Sequence, residues 1–305
     1  MLEEKMKIII DTDNGDDIDD LITLYFALEN KKLDILGIIS SYLNAPLRMK
    51  QVEKTLKIFN REDIPVYCGC SKPFATLHPQ PLDTIYCQYT PDLGEATCKE
   101  NGDRAIDFLI ESARKYGKEL TILEIAPETT LAAAIKKDRD AFKDTNIVLM
   151  AGAFYKDTNE WNIECDYEAA RIILESKLHL TYVGLDVTDL TELKNPYYEN
   201  HLLGQYKETS KMSYLSLCSN MWVNVSKRHI VLHDPLTLFT LLNDDLCVFE
   251  EKYVRLIPNE DKTRYYTRIT DNPEDTLIKV AKTLDLNKLL DEIFVPGIRR
   301  IDENE

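Results

Sequence analysis

Positive charge is scarce in this 305-residue chain: 37 Lys and Arg stand against 53 Asp and Glu, a formal net charge of −16. So acidic a chain is a poor general binder of nucleic acid or anionic membrane, and a reasonable host for a metal cation or a neutral small molecule. Long apolar runs are missing: no stretch approaches the roughly 20 residues that span a bilayer. No signal peptide is expected ahead of the apolar Met6 to Ile10 segment. With only 10 Gly and 12 Pro against 44% hydrophobic residues, collagen-like and generically disordered chains are excluded. The cysteines (Cys68, Cys70, Cys87, Cys98, Cys165, Cys218 and Cys247) are odd in number. Cys68-Gly-Cys70 is too tight for a CxxC pair, and no second Cys/His pair completes a zinc site. Reduced structural thiols and a cytoplasmic location are expected.

What remains is a rhythm of short apolar runs and helical patterns. Met6 to Ile10, Leu33 to Ser40, Ile64 to Tyr67, Leu120 to Ile125, Ile147 to Met150 and Leu180 to Val183 read as buried strands. Asp19 to Glu29, Arg104 to Tyr116, Thr129 to Lys136 and Tyr167 to Ser176 read as helices between them. This alternation predicts an α/β fold with a mostly parallel central sheet flanked by helices. Helices are expected after Lys207, then a hairpin from Tyr253 to Thr270 turning at Asn259-Glu260-Asp261-Lys262. No internal repeat or linker interrupts the pattern, so residues 1–305 read as one domain. In such sheets ligands bind beyond the carboxyl ends of the strands.

The strongest local signal lies there. Asp11-Thr12-Asp13-Asn14-Gly15-Asp16-Asp17-Ile18-Asp19-Asp20 packs six carboxylates into ten residues after the first strand. Crowded like charges repel, and a multivalent cation with oxygen ligands relieves them. Asn14-Gly15 permits a sharp turn, and Asp19 and Asp20 can open the helix. A solvated acidic helix cap is the plainer alternative. The spacing fails an EF-hand, since Gly15 is fifth and Ile22 twelfth from Asp11. A metal-dependent phosphatase also begins with a strand and Asp-x-Asp, but its later Lys and second acidic pair are not clearly present.

Other polar groups recur at strand ends. Asn44 follows the second strand, Ile125 ends the fourth, and Glu160-Trp161-Asn162 and Asp166 follow the fifth. His233-Asp234-Pro235 stands at a helix start. Asn and carboxylate groups of this kind can hold sugar hydroxyls. Each also has a bland role: Asn44 and Asp166 as caps, Asp234 as an N-cap before Pro235, His233 as a structural histidine, Trp161 as core.

Taken in order, these segments resemble the calcium-dependent nucleoside hydrolases, the inosine-uridine-preferring nucleoside hydrolase family. The family opens with a strand and Asp-Thr/Cys-Asp-Pro-Gly-x-Asp-Asp. Asp11-Thr12-Asp13-x-Gly15 and Ile18-Asp19-Asp20 match it, with Asn14 for Pro and two extra residues. Val148 to Gly152, Glu160-Trp161-Asn162, Cys165 to Ala170, Val183 to Thr188 and His233-Asp234-Pro235 match later signatures. The resemblance implies hydrolysis of the N-glycosidic bond of ribonucleosides to ribose and free nucleobase. It implies Ca²⁺ held by Asp13, Asp20, Asp234 and the Ile125 carbonyl. Asp13 would also activate a Ca²⁺-bound water that Asp11 orients. Asp19, Asn44, Glu160 and Asn162 would grip the ribose, and His233 would lie beside the base. A homo-oligomer, dimer or tetramer, is implied too.

Some segments depart from the family pattern. Tyr86 to Gly94 lacks the His usual there, and His78 lies earlier. Ala126-Pro127-Glu128-Thr129-Thr130 replaces Gly-Pro-Leu-Thr-Asn, and Trp161 replaces Phe. Asp16 and Asp17 rival Asp19 and Asp20, the latter pair preferred because it directly precedes the helix. Tyr214 and Trp222 can flank a base or pack among the later helices. A catalytically weak ribose- or nucleoside-binding protein is the alternative to an enzyme.

Overall fold

Runs of β-branched residues that are buried on both faces build the centre of the molecule. In the computed structural model, which describes residues 5–94 and 102–303, β1 (Met6–Thr12) carries Ile8, Ile9 and Ile10, all fully buried. Each such side chain contributes about 1.5–3 kcal/mol on burial. Around it lie β2 (Leu33–Ser40), β3 (Val66–Cys68), β4 (Leu120–Glu124), β5 (Asn146–Leu149) and β6 (Leu180–Tyr182). The helices are α1 (Asp19–Glu29), α2 (Ala45–Ile58), α3 (Asp103–Tyr116), α4 (Thr129–Lys137), α5 (Trp161–Cys165) and α6 (Tyr167–Glu175). They continue as α7 (Leu185–Thr188), α8 (Pro196–Leu203), α9 (Met212–Ser226), α10 (His233–Leu242) and α11 (Val295–Glu303). The sheet closes with β7 (Cys247–Pro258), β8 (Tyr265–Thr270) and β9 (Thr276–Leu284).

The sheet has nine strands in the order β3-β2-β1-β4-β5-β6-β9-β7-β8. β1 to β6 pair in parallel, as do β6 and β9, while β7 is antiparallel to both β8 and β9. One apolar cluster joins Ile8 and Ile10 to α1, α2 and α9 to α11. A second joins Ile9 and Ile122 to α3, α4 and α6 on the opposite face. The α/β architecture expected from the sequence is therefore present. The hairpin turn falls where expected: the Asn259 N–H donates to the Arg264 carbonyl at 3.0 Å, and Lys262 adopts φ 57°. α2 and β9 have no counterpart in the sequence expectations. β9 matters most, because it joins the hairpin to the parallel sheet.

The order reverses beside β1: β2 and β3 extend to one side, β4 to β6 to the other. Loops after β1 and β4 diverge there and leave a crevice at their carboxyl ends. Among the described residues, no helix is long and apolar enough to cross a membrane. Cys87, Cys165, Cys218 and Cys247 are free thiols, and Cys98 lies outside the described residues.

Candidate active site

A cavity of about 470 Å³ opens at that crevice. Asp13, Asp19, Asp20, Ile125, Glu160, Asn162, His233 and Asp234 all line it, as do Asp16, Asp17, Met150, Trp161, Trp222 and Arg228. Residues far apart in sequence converge because most of them follow a strand or open a helix, while Trp222 comes from within α9 and Arg228 from just after it. The Ile125 N–H donates to the Asp11 carbonyl at 2.9 Å, which sets the end of β4 beside the acidic loop.

The loop is held in shape by a relay of amides. Asn14 Nδ2 donates to Gln51 Oε1 at 2.8 Å, and Gln51 Nε2 donates to Gln88 Oε1 at 3.0 Å. Gln88 Nε2 then donates to the carbonyls of Asp16 (3.1 Å) and Asp17 (2.6 Å). These bonds satisfy the carbonyls of the two extra residues, so the insertion is a built feature. Arg48, buried on α2, donates from Nη1 to the Asn14 carbonyl at 3.0 Å and stacks 3.6 Å from the Tyr86 ring centre. Its Nη2 lies 3.8 Å from Asp13 Oδ2.

Asp19, Asp20 and Asp234 are all buried, and each presents a carboxylate oxygen within 4.8 Å of the others. Asp20 Oδ1 accepts from Thr12 Oγ1 at 2.5 Å and from the Asp13 N–H at 3.1 Å. Asp19 Oδ2 accepts the Asp234 N–H at 3.3 Å. Burial, then repulsion from neighbouring aspartates that include Asp13 and Asp17, pushes all three carboxyls well above the usual range. Such a cluster suits a hard cation, whose charge removes the repulsion. Asp13 is pushed up to about 6 by burial, against the Arg48 guanidinium that holds it down.

The opposite wall carries polar groups of a different kind. Glu160 caps α5: its Oε1 accepts from the Asn162 N–H at 2.8 Å, its Oε2 from Ile163 (3.0 Å) and Gly152 (3.2 Å). Burial moves its carboxyl up to about 7. Asn162 Nδ2 donates to the Met150 carbonyl at 3.0 Å. The preceding loop depends on two glycines. Gly152 has φ +81°, and a Cβ on Gly184 would meet the Gly152 oxygen at 2.5 Å. His233 Nδ1 lies 2.8 Å from Thr188 Oγ1, and burial pushes the ring down to about 4. It is therefore neutral at pH 7.

Two expected residues stand outside the lining. Asp11 is buried beneath the loop; its Oδ1 accepts from Ser41 Oγ at 2.6 Å, and burial raises it to about 8. Asn44 caps α2, accepting the Leu47 N–H at 3.4 Å and donating to the Thr84 carbonyl at 3.1 Å. Of the two aromatic candidates, Trp222 joins the lining and Tyr214 packs in the core. His78 stacks on the exposed Trp161 at the cavity edge, ring centres 4.4 Å apart. Arg228 and Asp189 were not among the sequence candidates, for neither stands in a motif.

The profile of the family described as "Inosine-uridine preferring nucleoside hydrolase" matches residues 8–291. "Uridine nucleosidase 1" of Arabidopsis thaliana is 31% identical, covering 84% of this chain and 80% of that protein. "Pyrimidine-specific ribonucleoside hydrolase RihA" of Enterobacter sp. (strain 638) is 27% identical, covering 90% and 92%. Among solved structures, a plant nucleoside hydrolase, the PpNRh1 enzyme, superposes with a TM-score of 0.79 at 26% identity, covering 98% and 99%. A purine-preferring ribonucleoside hydrolase from Gardnerella vaginalis gives 0.76 at 25% identity, covering 97% and 98%.

Proposed function

This chain belongs to the inosine-uridine preferring nucleoside hydrolase family, and from that premise we propose a calcium-dependent reaction for it. As an N-ribosyl hydrolase it splits ribonucleosides into ribose and free base. The observation that carries the metal is the buried Asp19, Asp20 and Asp234 cluster beside Asp13 in one cavity. All its donors are carboxylate oxygens, and calcium accepts six to eight oxygen ligands. We assign Asp13, Asp20, Asp234 and the Ile125 carbonyl as its ligands, leaving positions for substrate hydroxyls and water. Bound there, the ion supplies a Lewis acid that eases proton loss from water.

The residues of this chain do the rest. Asp13, poised near neutrality, takes the proton of the attacking water. Asp11, beneath it, orients that water. Asp19, Glu160 and Asn162 hold the ribose hydroxyls and keep the anomeric carbon within reach of attack. The carboxylates around the ring stabilise the oxocarbenium-like charge that grows as the C–N bond breaks. Asn44 lies outside the cavity lining and caps α2, the helix that bears Arg48. His233 borders the departing base as a neutral ring. We read the whole chain as one catalytic domain, because a single sheet runs from β3 to β8. The free thiols support a cytoplasmic setting.

Replacing the base tests the assignment. Asp13→Asn is expected to lower ribose release about 1,000-fold, while its circular-dichroism spectrum stays unchanged. Undiminished release by that variant contradicts the role. Calcium binding by wild-type protein without turnover of any ribonucleoside supports the binding-protein alternative instead.

A further inference from the structure

We propose that Gln88 is a positioning residue for the metal site: it braces the two extra residues of the acidic loop, and calcium affinity depends on that brace. The proposal rests on the calcium assignment above and adds what holds its ligands in place. Gln88 is fully buried and lies outside the cavity lining, so its effect on the site passes through the loop.

Two departures from the family pattern meet at this residue. The acidic loop carries two extra residues, and the segment Tyr86 to Gly94 lacks its usual His. In the fold that segment turns towards the loop and covers three consecutive carbonyls. The Gln88 N–H donates to the Gly15 carbonyl at 3.2 Å, and Gln88 Nε2 donates to those of Asp16 and Asp17 at 3.1 and 2.6 Å. Cys87 Sγ lies 3.2 Å from the Asp16 carbonyl oxygen. Gly15 makes the turn at φ +118°, and a Cβ there would meet Gln51 Oε1 at 3.3 Å, so the loop sits directly on the relay.

The relay has one direction. Peptide carbonyls only accept, so Gln88 turns Nε2 towards them and Oε1 towards Gln51. Gln51 then presents Nε2 to Gln88 and Oε1 to Asn14, whose Nδ2 also donates to the Arg48 carbonyl at 3.1 Å. No amide in the series can flip without setting oxygen against oxygen.

The braced residues lie between the ligands. Asp13 precedes them, and Asp20 follows in the first turn of α1. Each loose residue between two ligands loses conformational freedom when the ion gathers them. A loop already held loses that freedom on folding, and less is lost on binding. Two extra residues therefore weaken a calcium site unless something fixes them, and Gln88 is what fixes them here.

Calcium binding to chelator-stripped protein is measured by titration calorimetry for wild type, Gln88→Leu and Gln88→Glu. Ribose release from uridine is then followed at saturating calcium. Gln88→Leu removes the donors and is expected to weaken calcium binding about 10- to 100-fold, with kcat at saturating calcium nearly unchanged. Gln88→Glu keeps the shape and adds an acid, which by charge alone tightens calcium binding; with the brace broken, weaker binding is expected. Unchanged affinity in Gln88→Leu, or tighter binding by Gln88→Glu, overturns the proposal. So does a loss of kcat at saturating calcium with affinity intact. Gln51→Met breaks the relay one step from the loop and is expected to weaken binding less. If the Gln88 variants do not fold, wild-type affinity in Gln51→Met overturns the brace. If wild type binds no calcium, the metal assignment itself falls, and the proposal with it.

Discussion

Glu124 and Glu128 are fully buried, and neither carboxylate has a hydrogen-bond partner among the described residues. Tyr182 Oη, also buried and unpartnered, is close enough to feel both. Burial pushes Glu128 well above the usual carboxylate range, and repulsion from Glu160 adds to it. The group is therefore protonated in the folded chain at pH values where it is ionised in the unfolded one. Folding takes up a proton, so stability is highest near the unfolded carboxylate range and falls as pH rises towards the folded value. Glu128→Gln removes that linkage, which is worth at most about 1.4 kcal/mol per pH unit. Urea denaturation at pH 5 and pH 8 is expected to show a smaller difference for the variant than for wild type. An equal difference contradicts a protonated Glu128. This position was visible in the sequence as a departure from Gly-Pro-Leu-Thr-Asn, but its burial was not. Arg228, which also lines the cavity, was less legible still: one basic residue past a helix end carries no local signal. The acidic loop was legible because its charge density exceeds what a helix cap needs.

At the scale of elements, α2 shows why some were missed. Its buried face carries Arg48, Gln51 and Thr55 beside Leu47, Val52 and Leu56, so the apolar periodicity is broken by polar residues. Arg48 and Gln51 hold the acidic loop from below, while the Thr55 hydroxyl donates back to the Gln51 carbonyl within the helix. β9 alternates buried Ile278 and Val280 with outward Lys279, a pattern of period two. The signal is short, and only pairing with β6 and β7 makes it a strand. β1, β2 and α1 were legible because Ile-rich runs and an acidic first turn agree locally. Arg48 gives the element its test. Arg48→Met leaves the Asn14 and Tyr42 carbonyls without their donor and Asp13 without a neighbouring cation. A loss of about 2–4 kcal/mol is expected in urea denaturation. Asp13 should also rise further, so the acidic limb of the activity profile moves to higher pH. A loss below about 0.5 kcal/mol with an unmoved limb contradicts the supporting role.

For the molecule as a whole, several of the 53 acidic residues are gathered in one buried place. Asp13, Asp19, Asp20 and Asp234 meet at the reversal of the strand order, each raised by burial and most by one another. Raised carboxyls mean that the metal-free chain is favoured at low pH and loses stability as pH climbs from the ordinary carboxylate range through about 6. A bound divalent cation reverses this, since it needs the carboxylates ionised. The proposed assignment ties metal affinity and catalysis to the same charges, so neither belongs to one residue. The most direct measurement is ribose release from uridine by protein stripped of metal with a chelator, followed as free calcium is restored. The account predicts that release stops on stripping and returns saturably with calcium. Full release by the stripped protein contradicts it.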